Sequence, residues 1–231
     1  MSVRMRLAPI QRDQLASLRF NSYPHVMTSD MAQPSPPRTR RTPPPELDGR
    51  MERSRVTRQK IVAALLDLIR AGNLGPTAED VAQYASVGDR TVFRHFQDME
   101  ALFAEMNDKV RVLVQPMLTE TYDEGPLAQR IEQLVSARAA TFDQITAYYL
   151  SGEIRLHSSP TLQRARVQFA AQQRRQLLAC LPEVEARPEV AAAIEMLTSM
   201  EGWLRLRRTQ GLSAKQSKMA IVTTVARLLD D

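Results

Sequence analysis

The chain has 231 residues, 43% of them apolar, enough to bury a sizeable core in one large or two small domains. Its one cysteine, Cys180, excludes an intrachain disulfide and a cysteine-rich zinc centre, and His25, His95 and His157 are not spaced as a metal pair. The net charge of +5 invites nucleic acid as a partner, yet residues 1–50 carry +4 of it, residues 51–115 balance nine basic groups against nine acids, and residues 116–231 add +1.

Residues 1–50 read as a disordered Pro/Arg-rich leader. Pro34, Pro36, Pro37, Pro43, Pro44 and Pro45 break regular structure, while Arg38, Arg40 and Arg41 keep the stretch solvated. A sharper reading makes it a basic arm laid on DNA. No apolar run approaches the roughly 18–20 residues of a spanning helix, and the N-terminus lacks an apolar signal core. A cytoplasmic location with no membrane partner is expected.

The spacing of Ile61, Ala64, Leu65, Leu68 and Ile69 predicts a helix over 55–71, stopped by Gly72. Thr77 caps a second helix with Glu79 and Asp80 in its first turn, and Val81, Ala82 and Ala85 face inward. Ser86-Val87-Gly88 makes a tight turn, Gly88 or Asp89 caps a third helix ending near Phe96, and Asp98 caps a fourth that ends near Pro116. Two short helices around a tight turn make a helix-turn-helix, and the second is sized for the major groove of DNA. Beyond it, helices are expected over 127–150, 160–181, 188–210 and 213–230, with no strand. The expected fold is all-α, with a three-helix head over 51–97 and a helical bundle over 98–231.

These residues resemble the tetracycline-repressor (TetR) family of bacterial transcription regulators. The resemblance is carried by Thr77, Val81-Ala82, Ala85-Ser86-Val87-Gly88, Thr91-Val-Phe93-Arg-His95-Phe96 and Met99-Glu100-Ala-Leu102. Four places depart from the family pattern. Ser86 stands for the turn glycine, so the turn must avoid positive φ or be strained. Gly88 stands for a serine cap. Met99 replaces a lysine that in the family meets a phosphate, and Phe93 likewise lacks a tyrosine hydroxyl.

Groove geometry assigns Arg90 to direct readout, since a guanidinium bonds guanine O6 and N7 together. Asp89 and Thr91 begin the same helix, where Thr91 meets a thymine methyl or a phosphate. Phe93 divides between packing and groove wall. Arg94 and His95 are phosphate candidates, His95 by resemblance. Arg55 and Arg58 are phosphate candidates at the first helix, and the amides beyond Thr77 are candidates at the second. The expected partner is a double-stranded, two-fold symmetric operator bound by a homodimer. The resemblance places the dimer contact on the last two long helices, through Ala191, Ala192, Ala193, Ser199 and Gly202 with Val222, Val225 and Leu229. It also implies an effector site in the bundle, with Phe142, Tyr148, Tyr149, Phe169, Met196, Met200 and Trp203 as candidates and a largely apolar small molecule as ligand.

No phosphate-cradling glycine loop or nucleophile motif stands in the sequence, so neither enzyme activity nor a cofactor is expected. Arg166, Arg174 and Arg175, with Glu183 and Glu185, read as solvated helix faces. The resulting expectation is a ligand-responsive repressor. Its rival is a helical regulator that acts through protein contacts without specific DNA binding.

Overall fold

The structure is a computed structural model that describes residues 45–230. Two compact units divide the chain between Met51 and Glu52, and the second, Glu52–Asp231, holds the core. The reading of residues 1–44 as a leader lies outside the described residues.

Nine α-helices follow one another among the described residues, without a strand: α1 (Pro45–Arg70), α2 (Ala78–Tyr84), α3 (Asp89–His95), α4 (Met99–Thr119), α5 (Leu127–Arg155), α6 (Pro160–Cys180), α7 (Pro188–Leu197), α8 (Met200–Leu204) and α9 (Ala214–Asp230). The first helix begins earlier than the expected Arg55 and takes in residues 45–50, which had been read as leader. Pro45 stands at its first position, where the missing N–H would be unpaired in any case.

The head closes on a single apolar centre. Ile61, Val62, Leu65 and Ile69 of α1 are fully covered, and they meet Val81, Ala82 and Ala85 from α2 and Val92 and Phe96 from α3. The caps are built as the sequence predicts. Thr77 Oγ1 accepts from Asp80 N at 3.1 Å while Thr77 N donates to Asp80 Oδ2 at 2.8 Å. Asp98 Oδ1 accepts from Ala101 N at 2.8 Å and starts α4.

Three boundaries differ from expectation. α4 continues through Pro116 to Thr119. A mid-helix proline orphans the carbonyl four residues back, here that of Val112, whose side is exposed to water, so the break is avoided. α5 runs unbroken to Arg155. The helix expected over 188–210 is broken at Thr198-Ser199. There Ser199 Oγ accepts from Gly202 N at 3.1 Å and caps α8, which leads into a π turn over Arg205–Thr209. A Cβ on Gly202 would stand 2.6 Å from Met196 O, so only glycine permits this corner.

The break is fastened from the core by Arg138, 1% exposed, which pairs with no carboxylate among the described residues. Its Nη1 donates to Thr198 Oγ1 at 2.7 Å and to Thr198 O at 3.2 Å, its Nη2 to Gln173 O at 2.5 Å and its Nε to Gln176 Oε1 at 3.1 Å. Gln176 Nε2 continues to Glu120 O at 2.9 Å, so one polar chain ties α4, α5, α6 and the end of α7. Burial pulls the Arg138 guanidinium down to about 10, which leaves it charged at neutral pH.

The last two helices are used within the chain more than expected. Val225, Ile221 and Ala191 are buried in the core, and Gly202 meets its own chain at the corner. Val222 and Leu229 are half-buried, Ala193 and Ser199 likewise, and Ala192 is exposed.

Candidate nucleic-acid interface and bundle cavity

The helix-turn-helix turn is the strained part of the head. Ser86 adopts φ 51°, the left-handed region that glycine enters without penalty. Val87 N closes the turn onto Ala82 O at 3.0 Å, and the Val87 side chain packs against the core. Ser86→Gly is expected to raise stability by about 1 kcal/mol, the scale of left-handed strain. Thermal unfolding checks this, and an unchanged or lower midpoint would mean the serine is at ease there. Gly88 is the N-cap of α3 and contributes no side-chain bond, so the recognition helix starts without the cap that a serine would supply.

α3 turns Val92 and Phe96 inward and Arg90, Phe93 and Arg94 outward. Phe93 is 52% exposed, so its ring belongs to the surface rather than the packing. Arg90 and Arg94 form no ion pair among the described residues, and Asp89 is exposed beside them. Thr91 is half-buried. Thr77 is exposed, but its hydroxyl and amide are both committed to Asp80. His95 is half-buried, and its covered Nε2 has no hydrogen-bond partner. Burial and the cations Arg94 and Arg58 hold its imidazole below the ordinary histidine range, which favours the neutral ring. A phosphate contact through Nε2 would need the ring to turn outward.

The two arginines of α1 part company. Arg55 is exposed and pairs with Glu52 at 2.5 Å, an i, i+3 contact that water and salt weaken. Arg58 is tied into the head. Its guanidinium donates to His95 O, meets Glu105 Oε2 at 2.5 Å and lies 4.0 Å from the Phe96 ring centroid. It thus clamps α1, the end of α3 and α4 together. The sequence places Arg58 at a helix start and cannot show where its far end lodges. Tyr84, 53% exposed at the end of α2, is a further aromatic on the head surface that the motif reading passed over.

In the bundle, a cavity of about 90 Å³ lies between α4, α5 and α6, walled by Met106, Val110, Ile145, Tyr148, Tyr149 and Phe169 among others. Tyr148, Tyr149 and Phe169 were expected there. The other four candidates do not line it. Phe142, Met200 and Trp203 fill the core at 2% exposure or less, and Met196 stands 65% exposed on the surface. An aromatic or methionine type cannot distinguish a wall from filling, since both want apolar surroundings.

Arg166 also lines the cavity, against its reading as part of a solvated face. Its side chain is 21% exposed and lies 3.4 Å over the Tyr149 ring, with Glu153 at 2.5 Å. Helical spacing carried the signal: 162, 166, 169 and 173 fall on one face, and Leu162 and Gln173 are buried. Of the other members of that proposed face, Arg174 pairs with Glu195 at 2.6 Å and Glu183 joins the buried Arg130.

The cavity wall is joined to the head. Arg70 at the end of α1 donates to Tyr148 OH at 2.9 Å, and Ser151 Oγ donates to Leu74 O at 2.7 Å, in the loop before α2. The Arg155 guanidinium covers Phe103, 3.8 Å from its centroid, and reaches towards Pro76 O.

A helix-turn-helix head with an outward basic face, carried on a helical bundle, defines a DNA-binding transcriptional regulator. Residues 61–106 match the family described as bacterial regulatory proteins, tetR family. Over that segment, which holds the Ser86 turn and the Phe93 surface, the chain is similar to the TetR family. Among solved structures, a transcriptional regulator from Rhodococcus sp. Rha1 is similar at 20% identity and a TM-score of 0.61, over 75% of this chain and 96% of that one. A structure from Syntrophomonas wolfei str. Goettingen, assigned to the TetR family, is similar at 16% identity and a TM-score of 0.55, over 77% and 96% of the two chains. A third, from Pseudomonas aeruginosa PAO1, gives 18% identity and a TM-score of 0.53, over 78% and 91%. At such identities the likeness is one of fold. No curated protein matches the sequence.

Proposed function

We propose that the chain is a ligand-responsive repressor that binds a two-fold symmetric DNA operator as a homodimer in the cytoplasm. Residues 51–97 serve as the reading head, residues 98–231 as the sensing and pairing domain, and residues 1–50, of which 45–50 extend α1, as a leader. One observation carries the reading: α3 buries Val92 and Phe96 and presents Arg90, Phe93 and Arg94 to the outside. A recognition helix needs that division, one side holding it to the head and the other free for base edges. Arg90 reads a guanine, Asp89 and Thr91 flank it, Phe93 lines the groove, and Arg94, Arg55, His95 and the start of α2 at Thr77 meet the backbone. Arg58 supports the helix from behind.

One such head covers few base pairs, so useful specificity requires a second. Met196 on α7 and Met219 on α9 are exposed apolar side chains on the helices that the family resemblance gives to pairing. Selection of bound sequences from a random DNA pool tests the whole reading. The expected product is an inverted repeat with fixed half-site spacing, and a pool without enrichment would overturn it. Within that site, Arg90→Ala is expected to cost about 1–3 kcal/mol and to relax preference at one base position. Titration of site variants checks this, and an equal loss on every sequence would exclude base readout.

The ligand response runs through α5 on this reading. Tyr148, Ser151 and Arg155 touch the head, and Tyr148 and Gly152 also line the cavity. A molecule that shifts this stretch biases the head only if it prefers one of two arrangements.

A further inference from the structure

The chemistry of the cavity wall narrows the class of molecule it takes. Its charged lining residues are Arg111 and Arg166, and none of its lining residues is an acid. The remaining wall is apolar or aromatic, apart from the neutral amides Asn107, Gln168 and Gln172.

Arg166 has donors to spare. Its Nη2 meets Glu153, and its Nη1 stands 3.7 Å from Glu201, within the range of charge but too far for a hydrogen bond. That Nη1 is covered and has no hydrogen-bond partner. Buried N–H groups are nearly always satisfied, so this guanidinium is short of an acceptor and a small turn of the side chain would offer the free donor to one. Glu153 and Glu201 lie off the cavity wall, so no lining carboxylate neutralises the guanidinium from the cavity side. Arg111 sits at the rim, 44% exposed and loosely held by Asp108 at 3.5 Å.

We infer that the cavity binds an apolar molecule ending in a carboxylate, with its body among Val110, Ile145 and Phe169 and its carboxylate on Arg166, assisted at the rim by Arg111. Guanidinium geometry suits a carboxylate, and a water-poor wall strengthens the bond. This class rests on the ligand-responsive reading above and gives it a switch. A carboxylate on Arg166 competes with Glu153, which lies on α5 between Ser151 and Arg155, the two residues that reach the head loop before α2.

Octanoate, octanol and octylamine share one chain and differ in headgroup, so calorimetric titration of each into the full chain separates charge from shape. Octanoate is expected to bind at least tenfold more tightly than the other two. Arg166→Gln should remove that preference while leaving octanol affinity in place. Because Arg166 also braces Tyr149, Arg111→Gln serves as a milder variant, with an expected loss of about threefold for octanoate alone. Octanol or octylamine binding as tightly as octanoate would overturn the anionic class and spare the cavity as a ligand site. No binding by any of the three would overturn the proposal outright. The DNA-pool selection needs no ligand and decides the regulator reading separately.

Discussion

Arg138→Ala is expected to lower the free energy of unfolding by about 3–5 kcal/mol, the largest single-residue effect in the molecule. The substitution removes four hydrogen bonds at once and leaves Gln173 O, Thr198 O and Gln176 Oε1 without the donor that reaches them. Each acceptor stranded away from water costs about 1–3 kcal/mol, and the missing side chain adds a void. Relief of a buried charge works in the other direction, since burial of Arg138 outweighs the distant attraction of Glu195. Arg138→Met isolates that term, because it keeps most of the volume and removes the charge. It should cost clearly less than alanine. For a folded unit of this size the alanine variant corresponds to a fall of roughly 6–20 °C in the unfolding midpoint. A midpoint within a degree or two of the parent would show that the polar chain through Gln176 and Thr198 does not hold the bundle.

The second large effect is expected at Arg58. Arg58→Ala removes a charged hydrogen bond to His95 O, the contact over Phe96 and the ion pair with Glu105. The ion pair is partly exposed and contributes little, so the loss rests on the other two and amounts to about 2–3 kcal/mol. Thermal unfolding without DNA reports it directly. Affinity for every DNA sequence should fall together, because α3 loses the clamp on its end. The salt dependence of binding should keep its slope, since the guanidinium's bonds are made inside the head rather than to a phosphate. A shallower slope with normal stability would return Arg58 to the phosphate contacts that the sequence assigns it.

These two arginines show how far the sequence can be read. The sequence starts the first helix near Arg55, and on that ground Arg58 reads as a phosphate contact, although α1 begins at Pro45. Its partner carbonyl is 37 residues away. Arg138 lies within an amphipathic helix and carries no sign of burial beyond its register, and its partners come from 35 to 60 residues away. Arg166 sits among charged residues and reads as solvated, although its spacing from Leu162 and Phe169 places it on the inward face. The aromatic candidates for the cavity divide in the same way. Tyr148 and Phe169 became wall and Phe142 became filling, because three helices had to be packed before any space between them existed.

The helix-turn-helix was legible because its determinants are local. Caps at Thr77 and Asp98, a stop at Gly72 and an apolar repeat from Ile61 act over three or four residues, and the sequence by itself settled the head, the all-helical class and the outward Arg90. Tertiary structure alone decided where α7 breaks, which arginines are structural, and where the cavity opens. Those outcomes depend on which distant carbonyl or ring meets the end of a long side chain, and no pattern of neighbours along the chain encodes that meeting.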